Sequence, residues 1–236
     1  MSCGTPRRVL LADLRNHGDS PHNSDMSFEQ MAADVTSLLD EQGIERAVLC
    51  GHSIGGKVAM ATALLHPDRV ERLMVLDMAP VSYEPSEPQW EAILSVVNAM
   101  RTVKLDSISS KRDADQMLAR SVGDAGLRAF VLTNLMRTPE GNFRWRVNLD
   151  AIESSMPMLG KWEVAGQDPA DLQYDSFTLF VGGGKSRFLR STHLPAIEQS
   201  FSKFSLSTLR EASHWVHADE PDALLLIASK FLAAKQ

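Results

Sequence analysis

Three side chains in this sequence are of types that together perform nucleophilic catalysis: Ser53, His214 and Asp77. Ser53 sits at the centre of Gly51-His52-Ser53-Ile54-Gly55, a G-x-S-x-G pattern. It lies between the apolar run Ala47-Val48-Leu49-Cys50 and a helical pattern, Lys57 to Leu65, that Pro67 stops. A strand turning sharply into a helix strains the turn residue and exposes its side chain. The glycines two residues to either side are expected to remove Cβ atoms that would clash. The hydroxyl then stands at a helix N-terminus, where backbone N–H groups receive a negative oxygen, and the N–H of Ile54 is the expected donor. The alternative is a glycine-rich turn that happens to hold a serine. The same stretch nearly matches a phosphate loop, because Gly51 to Lys57 fits G-x-x-x-x-G-K. Val58 follows, however, and valine cannot ligate magnesium. Gly184-Lys185-Ser186 supplies another G-K-S end, but Leu179 stands where its first glycine is required. No nucleotide cofactor is expected.

A serine hydroxyl needs a base within hydrogen-bond reach. Seven histidines are available, His17, His22, His52, His66, His193, His214 and His217. In a sheet of this type the base belongs between the last strand and the last helix, where only His214 and His217 lie. His214 is nearer the strand end and is the expected base; His217 is expected to be a structural or surface group. His52, as the neighbour of Ser53, cannot easily reach its hydroxyl, so core packing is its expected role. The base in turn needs an orienting carboxylate at the C-terminal end of a strand, between serine and histidine in chain order. Asp77 follows the strand 72–76 and meets these conditions. Asp175 precedes its strand, at the wrong end of the sheet, and the loop after 177–181 holds no carboxylate. A cap on the following turn is the alternative role for Asp77. Asp13 is expected to organise its own loop with Arg15 and Ser20.

The elements that must position these groups follow from the pattern of apolar residues. Strands are predicted at Val9–Ala12, Ala47–Cys50, Arg72–Leu76, Phe177–Val181 and Phe204–Leu209. Helices are predicted from Ser27, an N-cap with Gln30 three residues on, to Gly43, and then at Lys57–Leu65, around Leu194–Ser200 and at Pro221–Ala234. Strands alternating with helices on short links specify a parallel sheet with helices on its faces. Residues 81–170 show helical patterns and no strand, and read as a helical insertion acting as a lid over an acyl pocket. The expected division is therefore 1–80 and 171–236 as an α/β core and 81–170 as the lid. Hydrophobic residues make up 44% and charged residues 23% of 236, which suits one ordinary globular fold. A net charge of −6 excludes nucleic acid and anionic membranes as default partners. No apolar stretch approaches the ~20 residues of a membrane span, and Val9–Ala12 is too short for a signal-peptide core, so a cytoplasmic protein is expected. Cys3 and Cys50 form neither a disulfide framework nor a zinc site by themselves, and no metal is expected.

These motifs together resemble the α/β-hydrolase-fold serine esterases over nearly the whole chain. Asp13-Leu14-Arg15-Asn16-His17-Gly18-Asp19-Ser20-Pro21 is similar to the family's loop after its fourth strand, and Gly51 to Lys57 to its nucleophile turn. Leu76-Asp77-Met78-Ala79-Pro80, Trp145-Arg146-Val147-Asn148-Leu149 and His214-Trp215-Val216-His217-Ala218 resemble a narrower group, that of abhydrolase domain-containing protein 11 and bacterial short-acyl esterases. The resemblance implies hydrolysis of a small acyl ester or acylglycerol, with thioesters as the variant, and no cofactor. It implies that the acid follows the sixth strand, at Asp77, and that the more usual position after the seventh strand is occupied by Ser186. Ser213 replaces the family's glycine before the histidine. The family also carries a hairpin, a further strand and a His-Gly loop ahead of the strand that Val9 opens. Their absence from the sequence as written implies a truncated product and a one-strand gap between Val9–Ala12 and Ala47–Cys50. It also implies one oxyanion donor instead of two, a loss of roughly 100- to 1000-fold in rate. A binding or regulatory protein on a hydrolase scaffold is the rival expectation, and a mitochondrial location is implied if a targeting N-terminus is missing.

Overall fold

The computed structural model describes residues 7–164, 166 and 171–234. Cys3 and the lid boundary at residue 170 lie outside the described residues. The chain divides into two compact units, one holding Ser27–Ser82 and Trp162–Gln236 with the segment through Ala12, the other holding Asp13–Met26 and Tyr83–Lys161.

The first unit contains a four-stranded sheet of β1 (Ala47–His52), β2 (Val70–Leu76), β5 (Thr178–Gly183) and β6 (Phe204–Leu209), in the order β1-β2-β5-β6. Every pairing is parallel. The inner strands β2 and β5 are near-continuous apolar runs, as burial on both faces requires. Helix α1 (Phe28–Glu41) packs on α2 (Ile54–Leu65), and α2 packs on β1 and β2. Helix α2 is buried from Gly56 to Leu64, and its small residues Ala59, Ala61 and Ala63 allow close approach. At the C-terminus of α1, Gly43 adopts φ 63°. There Gly43 N–H donates to the Asp40 carbonyl and Ile44 N–H to the Leu39 carbonyl, satisfying two orphan acceptors. Ser27 occupies the N-cap position of α1, but its side chain makes no capping hydrogen bond, so the predicted capping box is not formed. Helices α7 (Leu194–Ser200), α8 (Val216–Asp219) and α9 (Pro221–Ala233) complete this unit. Met74, Leu76, Leu179, Val181, Leu209, Val216 and Phe231 form a core beneath α9.

The run Val9–Ala12 forms no strand, contrary to its pattern. Val9 is 76% exposed and Leu11 96% exposed. An apolar run becomes a strand only where a neighbour pairs its backbone, and among the described residues no strand does so.

The second unit is built on α3 (Pro88–Thr102), α4 (Lys111–Leu118), α5 (Ala125–Val131) and α6 (Leu149–Gly160), around Met100, Leu118, Leu132, Leu135 and Leu149. It is not wholly helical as expected. Strands β3 (Leu135–Arg137) and β4 (Phe143–Trp145) form an antiparallel hairpin, closed by a turn in which Gly141 adopts φ 92°. The loop from Asp13 is held to this unit by Asn16, which is fully buried at φ 67°. The Asn16 carbonyl accepts from Asn148 N–H at 3.0 Å and its Oδ1 from Asn148 Nδ2 at 3.0 Å. Asp13 accepts from Asp19 N–H at 2.9 Å and Ser20 Oγ at 2.7 Å, whereas Arg15 donates to the Asp25 carbonyl at 2.7 Å.

Candidate active site

Ser53 joins the end of β1 to the start of α2 at φ 54°, ψ −124°, a conformation that strains any residue with a Cβ. Its N–H is held by the Leu76 carbonyl at 3.1 Å. The turn is tight enough that a Cβ on Gly51 would stand 2.1 Å from the Gly55 carbonyl oxygen, so Gly51 is sterically required. The second glycine of the pattern is not: a Cβ on Gly55 would meet nothing within 4 Å. The tight neighbour is Gly56, where a Cβ would stand 3.1 Å from Val75. Ile54 opens α2, so its N–H has no acceptor within the helix and stands beside the serine.

Asp77 follows β2, one strand over, and is fully buried at φ 48°. Its N–H donates to the Val181 carbonyl at 2.7 Å. Oδ1 accepts from Gly183 N–H at 2.9 Å, and Oδ2 accepts from Ser186 Oγ and from His214 Nδ1, the latter at 2.7 Å. His214 Nε2 lies 2.9 Å from Ser53 Oγ. The three side chains thus form one hydrogen-bonded chain, all within the first unit. His214 Nδ1 faces an oxygen that also takes the Ser186 proton. The Nδ1–H tautomer is therefore the one that fits, leaving Nε2 free to accept the serine proton.

His214 must reach this point from β6, three strand intervals from β1, a span of about 14 Å at ordinary strand spacing. Two glycines at the end of β5 let its loop cross. A Cβ on Gly183 would stand 2.1 Å from the Ser213 carbonyl oxygen, and one on Gly184 2.4 Å from that of Arg210. Asp219 accepts from the Ser213 N–H and hydroxyl, and Glu220 from the N–H groups of Glu211 and Ala212, which fix the same loop from α8. Phe188, buried, lies with its ring centroid 4.2 Å from that of His214.

The sequence reading missed two partners in this site. Ser186, read only as an emptied acid position, donates to Asp77. His52 does more than pack in the core: its Nε2 lies 2.7 Å from the His214 carbonyl oxygen. Burial, and then the nearby charge of His214, push the His52 imidazole down to about 4. His217 is exposed on α8, its ring 4.8 Å from that of His52. Lys185, of the G-K-S segment, pairs with Glu211 at 2.8 Å, which ties that segment to the loop before His214. One turn into α2, Lys57 is fully buried between the rings of Phe28 and Trp162, at 5.6 and 5.9 Å, and burial lowers its ammonium to about 7. Cys50 is a free, exposed thiol. Among the described residues no helix is long and apolar enough to cross a membrane.

Comparisons with known proteins bear on this geometry. A model described as alpha/beta hydrolase family matches residues 3–225. A mouse (Mus musculus) protein named sn-1-specific diacylglycerol lipase ABHD11 is 39% identical over 233 residues, covering 97% of this chain and 73% of that protein. Esterase YbfF of Escherichia coli is 30% identical over 224 residues, covering 95% of this chain and 82% of its own length. A solved structure described as a marine microorganism esterase superposes with a TM-score of 0.88 at 32% identity, over 93% of this chain and 82% of the other.

Proposed function

The chain belongs to the alpha/beta hydrolase family, and we propose that it is a carboxylic ester hydrolase working through an acyl-enzyme on Ser53, His214 and Asp77. The observation that carries this reading is the unbroken chain from Asp77 through His214 to Ser53, at 2.7 and 2.9 Å. Ser53 Oγ attacks the acyl carbonyl carbon while its proton passes to His214 Nε2. Asp77 holds Nδ1–H and stabilises the imidazolium that forms. The carbonyl oxygen, now negative, accepts from the N–H of Ile54. The tetrahedral adduct collapses, and the departing alcohol takes the proton from Nε2. Water then loses a proton to His214 and attacks the acyl carbon; the second adduct collapses, Ser53 Oγ leaves with the proton from Nε2, and the carboxylic acid is released. No step calls for a metal or cofactor.

The names of the relatives, a diacylglycerol lipase and esterases, support carboxylic esters, lipid esters of the diacylglycerol type among them, as substrates, and thioesters would pass through the same acyl-enzyme. A fluorophosphonate probe is expected to label this chain at Ser53, and Ser53→Ala to abolish both labelling and hydrolysis of a short-chain aryl ester. Labelling that persists in the alanine variant would remove the assignment. Labelling of Ser53 with no ester turned over would instead favour the binding or regulatory role.

A further inference from the structure

The hydrogen bond from His52 is not part of the hydrolytic chain, yet it joins the two segments that chain must bring together. Ser53 leaves β1 and His214 leaves β6, the two outer strands of the sheet. Along the approach, the His214 loop is tied to the end of β5, with Gly184 N–H on the Leu209 carbonyl at 2.7 Å and Lys185 N–H on the Ala212 carbonyl at 2.9 Å. At its far end, the backbone contact is to the residue immediately before the nucleophile. A carbonyl oxygen only accepts, so at 2.7 Å the His52 ring must present Nε2–H to the His214 carbonyl. The same ring lies against the His214 imidazole, with centroids 4.6 Å apart and planes at 40°.

We propose that His52 is a positioning residue for the base: its Nε2–H holds the His214 carbonyl, and its ring lies against the imidazole that takes the proton. The proposal rests on the reading of Ser53, Asp77 and His214 as the hydrolytic chain. Two pairs of atoms, one from the backbone and one from the side chain, then set the register between β1 and the His214 loop. With either pair alone, His214 could pivot about the other. The ionisable groups facing His52 are His214 and His217, from the segment after β6, and Asp77 at the end of β2. Burial, the largest effect, and the two histidines oppose a charge on His52, while its hydrogen bond to the His214 carbonyl and the nearby Asp77 favour one; the opposing effects win, so the ring stays neutral.

Two variants separate the donor from the ring. His52→Phe keeps a ring and loses the N–H; His52→Gln keeps a donor of similar reach and loses the ring. For His52→Phe, kcat on an aryl ester and the rate of Ser53 labelling are expected to fall about tenfold with KM little changed, because one hydrogen bond that orients the base is lost. His52→Gln is expected to recover most of that loss. ¹⁵N shifts of the His52 ring in the unaltered protein are expected to show the Nε2–H tautomer from pH 5 to 8, a readout independent of turnover. Unchanged kcat in His52→Phe overturns the proposal. So does an Nδ1–H tautomer, or a loss in which KM rises and the melting temperature falls in both variants with no recovery by glutamine, which marks packing alone. Failure of the underlying reading looks different: the unaltered protein would not label at Ser53, whatever stands at position 52.

Discussion

Replacing Gly183 by alanine tests whether a backbone contact at the end of β5 sets the position of the base. The added Cβ would fall 2.1 Å from the Ser213 carbonyl oxygen and 2.8 Å from that of Ala212. Neither is the end of a flexible side chain, so the loop itself must move. Real Cβ atoms essentially never approach closer than 3.0 Å, so relief requires a shift of about 0.9 Å in the residue preceding His214. Carried through to the imidazole, that shift takes the 2.9 Å contact with Ser53 beyond hydrogen-bond range. A misplacement of this size costs roughly 100-fold in rate, and the strain destabilises the fold by about 1–3 kcal/mol. Gly123→Ala, whose Cβ meets nothing within 4 Å, is the matched control. Ester turnover and urea midpoints for both variants give the answer. A Gly183→Ala protein that turns over as fast as the control would refute the claim that this contact places His214.

Other outcomes follow from the same geometry. Asp77→Asn replaces an acceptor-only group with an amide that favours the wrong imidazole tautomer, so kcat is expected to fall roughly 10⁴-fold with the protein still folded; a loss below tenfold in a stopped assay would contradict it. Lys57 has a folded value of about 7 against an ordinary 10.5, so the unfolded chain binds more protons between those limits and stability rises with pH across them. Lys57→Met should flatten that rise, worth at most ~5 kcal/mol; parallel urea-stability curves from pH 6 to 10 would sink the argument. Ser186→Ala removes one donor from the buried Asp77 carboxylate and should cost about 1–3 kcal/mol in thermal unfolding, most of it absent when Asp77 is also replaced. Leu11→Lys, at a side chain 96% exposed, should change stability by less than about 0.5 kcal/mol, and a larger loss would show that Leu11 is packed.

What the sequence alone determined is local. Strain at Ser53 needs a short turn between an apolar strand and a helix, and that turn is written in the five consecutive residues Gly51 to Gly55. The termination of α1 at Gly43 and the start of α9 at Pro221 are written in single residues, because φ at glycine and the missing N–H of proline act where they stand. The long buried runs of β2 and β5 are visible for the same reason. Three-residue strands such as β3 and β4 are too short to show a period of two, and so their hairpin passed for helix.

Tertiary structure decided everything that depends on which backbone lies beside which. Val9–Ala12 has a strand's composition and, among the described residues, no partner strand. Gly55 keeps the motif's spacing but has open space around it, while Gly56, outside the motif, touches Val75. Ser186 meets a carboxylate, and His52 meets a carbonyl, more than a hundred residues away in the chain. A side chain's type states which bonds it is able to make; only the folding of β1, β2, β5 and β6 side by side brings the other atom to within 3 Å.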